Sequence, residues 1–147
     1  MTVSNYTTSI VVNKTAGEVF DAINNARGWW QGEIEGITDR LNEVFTYRME
    51  DIHFSTQKIV EFILDEKVVW QVMDCGLNFL KDKAEWTGTQ ISFDITAKDK
   101  QTEVRFTHHG LVPSIECYDV CSGAWEQIIQ KSLFNFITTG KGSKVFG

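Results

Sequence analysis

The sequence has one proline, three cysteines and no apolar run long enough to cross a bilayer. The last absence argues against a transmembrane helix, which needs roughly 20 consecutive apolar residues. Residues 1–6, Met-Thr-Val-Ser-Asn-Tyr, carry neither a basic nor a long apolar segment, so no signal peptide is expected and the chain is expected in the cytoplasm. Lys and Arg form no cluster and the net charge is −6, which disfavours nucleic acid, because counterion release needs concentrated positive charge. Cys75, Cys117 and Cys121 are odd in number and follow no disulfide framework. In a cytosolic chain they are expected to be reduced. Neither a Gly-rich dinucleotide or phosphate fingerprint nor an internal repeat is present. Ser114 and Ser132 lack the surroundings of a nucleophile elbow.

What the chain has in quantity is aromatic residues: five Trp and ten Phe in 147 residues. One domain over 1–147 is expected, long enough to bury a core without staples, with 141–147 a loosely held tail. The longest helical pattern is 122–139. Trp125, Ile128, Ile129, Ser132, Leu133, Phe136 and Ile137 form one apolar stripe, and Gly140 stands where a left-handed residue ends a helix. About 27 Å of helix results, and its stripe must be buried. Gly123 costs about 1 kcal/mol relative to Ala inside a helix. A break is therefore expected near Ser122–Gly123, after a short lead-in helix capped by Ser114 and set apart from the preceding strand by Pro113.

The rest of the chain reads mostly as strand. Residues 6–12 alternate with period two. Thr15 and Glu18 fit a capping box for a helix from about Ala16 to Asn25, followed by a second short helix around Trp29–Trp30. Strands are then expected at 33–37, 43–50, 55–64, 67–74, 88–97 and 102–109, with Asp65–Glu66 as a tight hairpin turn and 75–84 irregular, anchored by Leu77, Phe79 and Leu80. The fold class is α+β: strand, two short helices, five or six consecutive antiparallel strands, and a long terminal helix.

Trp29-Trp30, Glu85-Trp-Thr-Gly-Thr89, Phe106-Thr-His-His-Gly-Leu111 and the run from Trp125 to Gly142 resemble the START-like superfamily, also called Bet v 1-like or SRPBCC. More closely they resemble its branch homologous to the activator of the heat-shock protein 90 ATPase. The resemblance spans nearly the whole chain. It implies a helix-grip fold, a bent antiparallel sheet of six or seven strands around the carboxy-terminal helix with a cavity between them. Such folds host lipid carriers, hormone receptors, aromatases and chaperone partners, so fold alone does not assign function. The separate amino-terminal domain of the eukaryotic activator has no counterpart in this sequence.

Strand parity directs Phe45, Tyr47, Trp70, Phe93, Phe106 and His108 toward the helix, with Trp125, Ile129 and Phe136 opposite them. These nine are the candidate ligand-binding residues, each with core packing as the plain alternative. His108 could bond a ligand or serve acid–base chemistry, or simply be a satisfied histidine at a sheet end. His108, His109, Cys117 and Cys121 are the one cluster of metal-type residues. Adjacent strand histidines point to opposite faces, so no metal and no cofactor are expected. Asp74, Asp82, Glu85 and Glu116 fall in loops or at element ends, and Arg48, in mid-strand, could pair with a carboxylate on the next strand, the favoured reading, or bind an anionic ligand group. The first functional expectation is binding or sensing of a small hydrophobic molecule, lipid- or polyketide-like. The second is a module that binds a chaperone, heat-shock protein 90, through its surface. An enzyme of cyclase or hydrolase type using His108 comes last. Membrane insertion is not expected, and the pattern leaves the oligomeric state open.

Overall fold

A computed structural model describes residues 5–78, 80–81 and 83–145. Its strands are β1 (Tyr6–Val12), β2 (Glu33–Gly36), β3 (Val44–Met49), β4 (His53–Ile63), β5 (Lys67–Leu77), β6 (Gln90–Lys98) and β7 (Gln101–His109). They form one antiparallel sheet in the order β1-β7-β6-β5-β4-β3-β2. A helix α1 (Ala16–Asn24) and a 3-10 turn (Ala26–Gly28) follow β1. The terminal helix runs over 118–139 as α2 (Tyr118–Gln127), a π-helical segment (Ile128–Leu133) and α3 (Phe134–Thr139). No helix among the described residues is long and apolar enough to cross a membrane.

The local chemistry explains the elements. Thr15 Oγ1 accepts from Glu18 N–H at 3.1 Å and Glu18 Oε2 accepts from Thr15 N–H at 3.3 Å, the capping box the sequence predicts. The β4–β5 hairpin turns through Asp65 at φ 60°, a left-handed conformation that Asp tolerates better than most residues. Two register shifts between β4 and β5 bend the sheet. Up to Ile59 the odd-numbered residues of β4 face inward, and after the shift Phe62 does. The concave face is centred on Trp70, fully buried between Ile59 and Ile91 on the neighbouring strands. Trp29 and Trp30 stack on it at 6.1 and 5.8 Å, and Phe45 and Phe93 meet its ring edge-on at 5.0 Å each.

The terminal helix departs from expectation at its start. It does not break at Gly123, which lies inside α2 with open space where a side chain would stand. Burial of Cys121 and Trp125 on either side of it holds that turn against the glycine's modest cost. Ser114 is not the cap. The helix begins after Cys117, and the Glu85 carboxylate accepts from the amides of Glu116 and Cys117 at 3.0 and 2.8 Å. An acceptor brought in from the β5–β6 connection thus does the work of an N-cap side chain. The Glu116 carboxylate returns the contact to the Lys81 amide. The irregularity falls instead at 128–133, where the wider π turn lets Ile128, Ile129, Ser132 and Leu133 all be buried. Gly140 ends the helix at φ 84°, as its position suggests.

Three smaller expectations resolve differently. β5 continues to Leu77, so Cys75 and Leu77 are strand residues, while Phe79 and Asp82 lie outside the described residues. Arg48 packs its guanidinium over the Phe54 ring at 5.1 Å, and no ion pair to it exists among the described residues. Cys117 and Cys121, expected as free thiols, bring their sulfur atoms together across one helical turn, and Cys75 is free and buried. In the tail, Ser143 N–H donates to Ser132 Oγ at 3.0 Å and Val145 N–H to Gln31 Oε1 at 2.8 Å; residues 146–147 lie outside the described residues.

Candidate functional site

Where sheet and helix diverge they leave a cavity of about 660 Å³. Its walls come from the segment after the 3-10 turn (Trp30, Gln31), the β3–β4 hairpin (Tyr47 to His53), the β5–β6 connection (Trp86) and the first turns of the terminal helix (Val120 to Ile128). The lining is mostly apolar, as small-molecule sites are, and the volume is of the usual size. The side chains are ordered by stacking. Trp30 lies on Tyr47 with centroids 3.8 Å apart and planes 9° from parallel. Trp86 stacks on Trp125 at 5.8 Å, and Trp30 meets Trp125 at 5.3 Å. The His53 ring stands perpendicular between the two stacks, 5.0 Å from Tyr47 and 4.7 Å from Trp86. Val120 and Ile52 are exposed at the rim, beside Glu50 and Lys144.

Hydrogen bonds lock this wall from behind. An indole N–H can only donate, so the 3.1 Å contact from Trp125 Nε1 makes His108 Nδ1 an acceptor. The neutral ring then carries its proton on Nε2 and donates to Thr89 Oγ1 at 2.9 Å, and Thr89 donates to the Trp86 carbonyl at 2.6 Å. One chain of bonds thus joins the helix wall to the loop wall. Burial, with the nearby His109 and His53 adding to it, pushes the His108 pKa down to about 3. Burial alone lowers that of His53 to about 4. Both rings are neutral at pH 7, so the interior of the cavity carries no charge. On the opposite wall the Tyr47 hydroxyl donates to the Gln31 carbonyl, and burial raises its pKa.

Of the nine sequence-predicted residues, Tyr47 and Trp125 line the cavity. Phe45, Trp70, Phe93, Phe106 and Ile129 are at most 1% exposed and pack beneath it. His108 is fully buried and, with both ring nitrogens engaged, sits one layer behind Trp125. Phe136 lies farther along the helix, its ring occupying the place where a side chain on residue 28 would stand, so only glycine fits there. Sequence reasoning passed over Trp30, His53, Trp86 and Ile128. Extending β4 by two residues brings His53 into the inward parity of Ser55, Gln57 and Ile59. Trp86 stood within the Glu85–Thr89 stretch, where it is 4% exposed yet its indole N–H has no partner among the described residues. Among the described residues no three of His, Cys, Asp and Glu converge to hold a metal. His109 faces away from the cavity and bonds Ser92 Oγ at 2.9 Å. A second hollow of about 510 Å³ beside α1 is lined largely by polar residues, Asp21, Asn24, Arg27 and Asp39 among them, and includes none of the nine.

No protein-family model and no curated protein matches the sequence. Solved structures do. The Aha1 dimer from Colwellia psychrerythraea matches with a TM-score of 0.75 and 24% identity over 95% of this chain and 99% of that one. The chain has the helix-grip fold. The same helix-grip architecture appears in DynU16, a protein of the dynemicin biosynthetic locus, at a TM-score of 0.69 and 14% identity, with 94% of this chain covering 48% of that one. CalU16 from Micromonospora echinospora matches at 0.65 and 11%, over 90% of this chain and 74% of that one. All three identities are low, so the likeness establishes the helix-grip architecture and no more.

Proposed function

We propose that this START-like domain binds or senses a small hydrophobic molecule, lipid- or polyketide-like, in the cavity between its sheet and its terminal helix, as a carrier in the cytoplasm rather than as an enzyme. The observation that carries the reading is the wall of stacked Trp30, Tyr47, Trp86 and Trp125 around about 660 Å³ of space. Filling such a space with apolar ligand removes aromatic surface from water at roughly 25 cal/mol per Å². Tyr47 and Trp125 contact the ligand directly. Phe45, Trp70, Phe93, Phe106, His108, Ile129 and Phe136 act through the packing that holds those walls. The neutrality of His108 and its two satisfied nitrogens argue against acid–base use of that residue. Titration with a panel of lipids and aromatic polyketides, followed by NMR, tests the reading. Saturable shifts of the Trp30, Trp86 and Trp125 indole signals support it, and unmoved signals across the panel refute it.

A second reading is a module that docks on heat-shock protein 90. The likeness to the Aha1 dimer, covering nearly the whole of both chains, favours it. Pull-down with the chaperone tests it, and a ligand-filled cavity would not exclude it.

A further inference from the structure

The polar atoms inside the cavity are unevenly distributed. Tyr47 donates its hydroxyl proton to Gln31, and the Trp125 N–H is spent on His108. His53 is different. Its Nε2 lies 3.0 Å from Ser55 Oγ, and Gln57 Nε2 donates to the same oxygen at 2.6 Å. Ser55 is fully buried, and its hydroxyl proton must go somewhere. With the Gln57 amide nitrogen on that oxygen, and Gln57 Oε1 left buried without a partner among the described residues, the Ser55 O–H donates to His53 Nε2. The neutral His53 ring therefore holds its proton on Nδ1. That nitrogen has no partner among the described residues, and it is not among the buried polar atoms sealed off from solvent. His53 is a wall residue, so an unspent N–H donor faces the open volume. The indole N–H of Trp86, whose ring meets His53 at 4.7 Å, also lacks a partner among the described residues but is sealed from solvent, so His53 is the donor open to a ligand.

We infer that His53, fixed by Ser55 and Gln57 as the Nδ1–H form, is the polar specificity residue of the cavity and donates to an uncharged oxygen acceptor, a carbonyl or ether, on an otherwise apolar ligand. This rests on the ligand-binding reading and deepens it. Stacked aromatic walls take any flat apolar body, but they do not fix its orientation. One directed donor does, because a ligand lacking the acceptor leaves the imidazole N–H desolvated and unpaired. An anionic head is disfavoured at this point, since the inner wall offers it no positive charge. Lys144 stands at the rim and is exposed.

The test compares two probes of matched shape, 9-fluorenone, which has one carbonyl acceptor, and fluorene, which has none. Affinities are read from quenching of the tryptophan fluorescence, and the His53 ring nitrogens are followed by long-range 1H–15N NMR. Wild-type protein is expected to bind fluorenone about five- to tenfold more tightly than fluorene, the ratio one hydrogen bond supplies. Fluorenone should shift the His53 Nδ1 signal while leaving Nε2 in its acceptor range. In His53→Phe the ratio should fall to about one with fluorene binding retained. Ser55→Ala, which frees the tautomer without touching the cavity wall, should lower the ratio part-way and serves if His53→Phe does not fold. Equal binding of both probes to wild type, or a ratio unchanged in either folded variant, overturns the inference and leaves the ligand-binding reading standing. Binding of neither probe overturns the inference and counts against that reading as well.

Discussion

Acid should loosen this protein through His108, by an amount the structure sets. The folded ring has a pKa of about 3, because it is fully buried and both its nitrogens are engaged in the neutral form. In the unfolded chain an imidazole titrates near 6.5. Between those values the unfolded state binds a proton that the folded state refuses, so stability rises with pH across the window. The contribution is intact above about pH 6.5 and is lost as pH falls toward 3. At pH 5 the loss is about 1.5 units at 1.36 kcal/mol each, roughly 2 kcal/mol. Urea unfolding of wild type and His108→Gln at pH 7 and pH 5 isolates the effect, since all other titrating groups are common to both. Gln offers Trp125 a carbonyl acceptor in place of Nδ1, which keeps the variant foldable. Wild type should lose about 2 kcal/mol more than the variant between the two pH values. Identical losses would show that His108 titrates in the folded protein, and the bonded chain from Trp125 to Trp86 would then be wrong.

Other consequences of the packing are open to measurement. Trp125→Phe keeps the aromatic wall but orphans His108 Nδ1, and should cost about 1–3 kcal/mol in denaturant unfolding, whereas Trp125→Ala should cost about 3–5 kcal/mol by opening a cavity as well. Glu85→Ala removes the acceptor from the start of α2 and should cost about 1 kcal/mol, with hydrogen exchange accelerating at the Glu116 and Cys117 amides. Glu85→Gln should recover part of that loss, since the amide oxygen still accepts. Gly28→Ala collides with the Phe136 ring and should cost about 1–3 kcal/mol, less when combined with Phe136→Leu. Additive costs in that pair would mean the two residues do not touch.

The sheet was legible in the sequence because its inward residues recur every second position and are large: Ile10 and Val12, Phe45 and Tyr47, Phe93, Phe106 and His108 are all buried as their parity requires. The terminal stripe from Trp125 to Ile137 was legible for the same reason at helical spacing. The start of that helix was not, because its cap comes from Glu85, some thirty residues earlier, and no local pattern announces a carboxylate delivered by another segment. The site followed the same division. Parity says which residues face inward, but not which of them touch one another and which border empty space. Trp70 and Phe93 fill the centre, where the sheet and helix close together. Trp30, His53 and Trp86 border the cavity because they sit on the hairpin and connections where the two layers separate. Their position depends on sheet curvature set by the β4–β5 register shifts, a tertiary property.

The most direct measurement is the occupancy of the cavity itself. In a 1H–15N titration of the full chain with lipids and flat aromatic compounds, the indole N–H signals of the wall tryptophans Trp30, Trp86 and Trp125 should shift saturably with at least one compound, while that of Trp70, buried beneath them, moves far less. Shifts confined to exposed surface residues, with the three wall indoles unmoved by every compound, would contradict a binding site between the sheet and the helix.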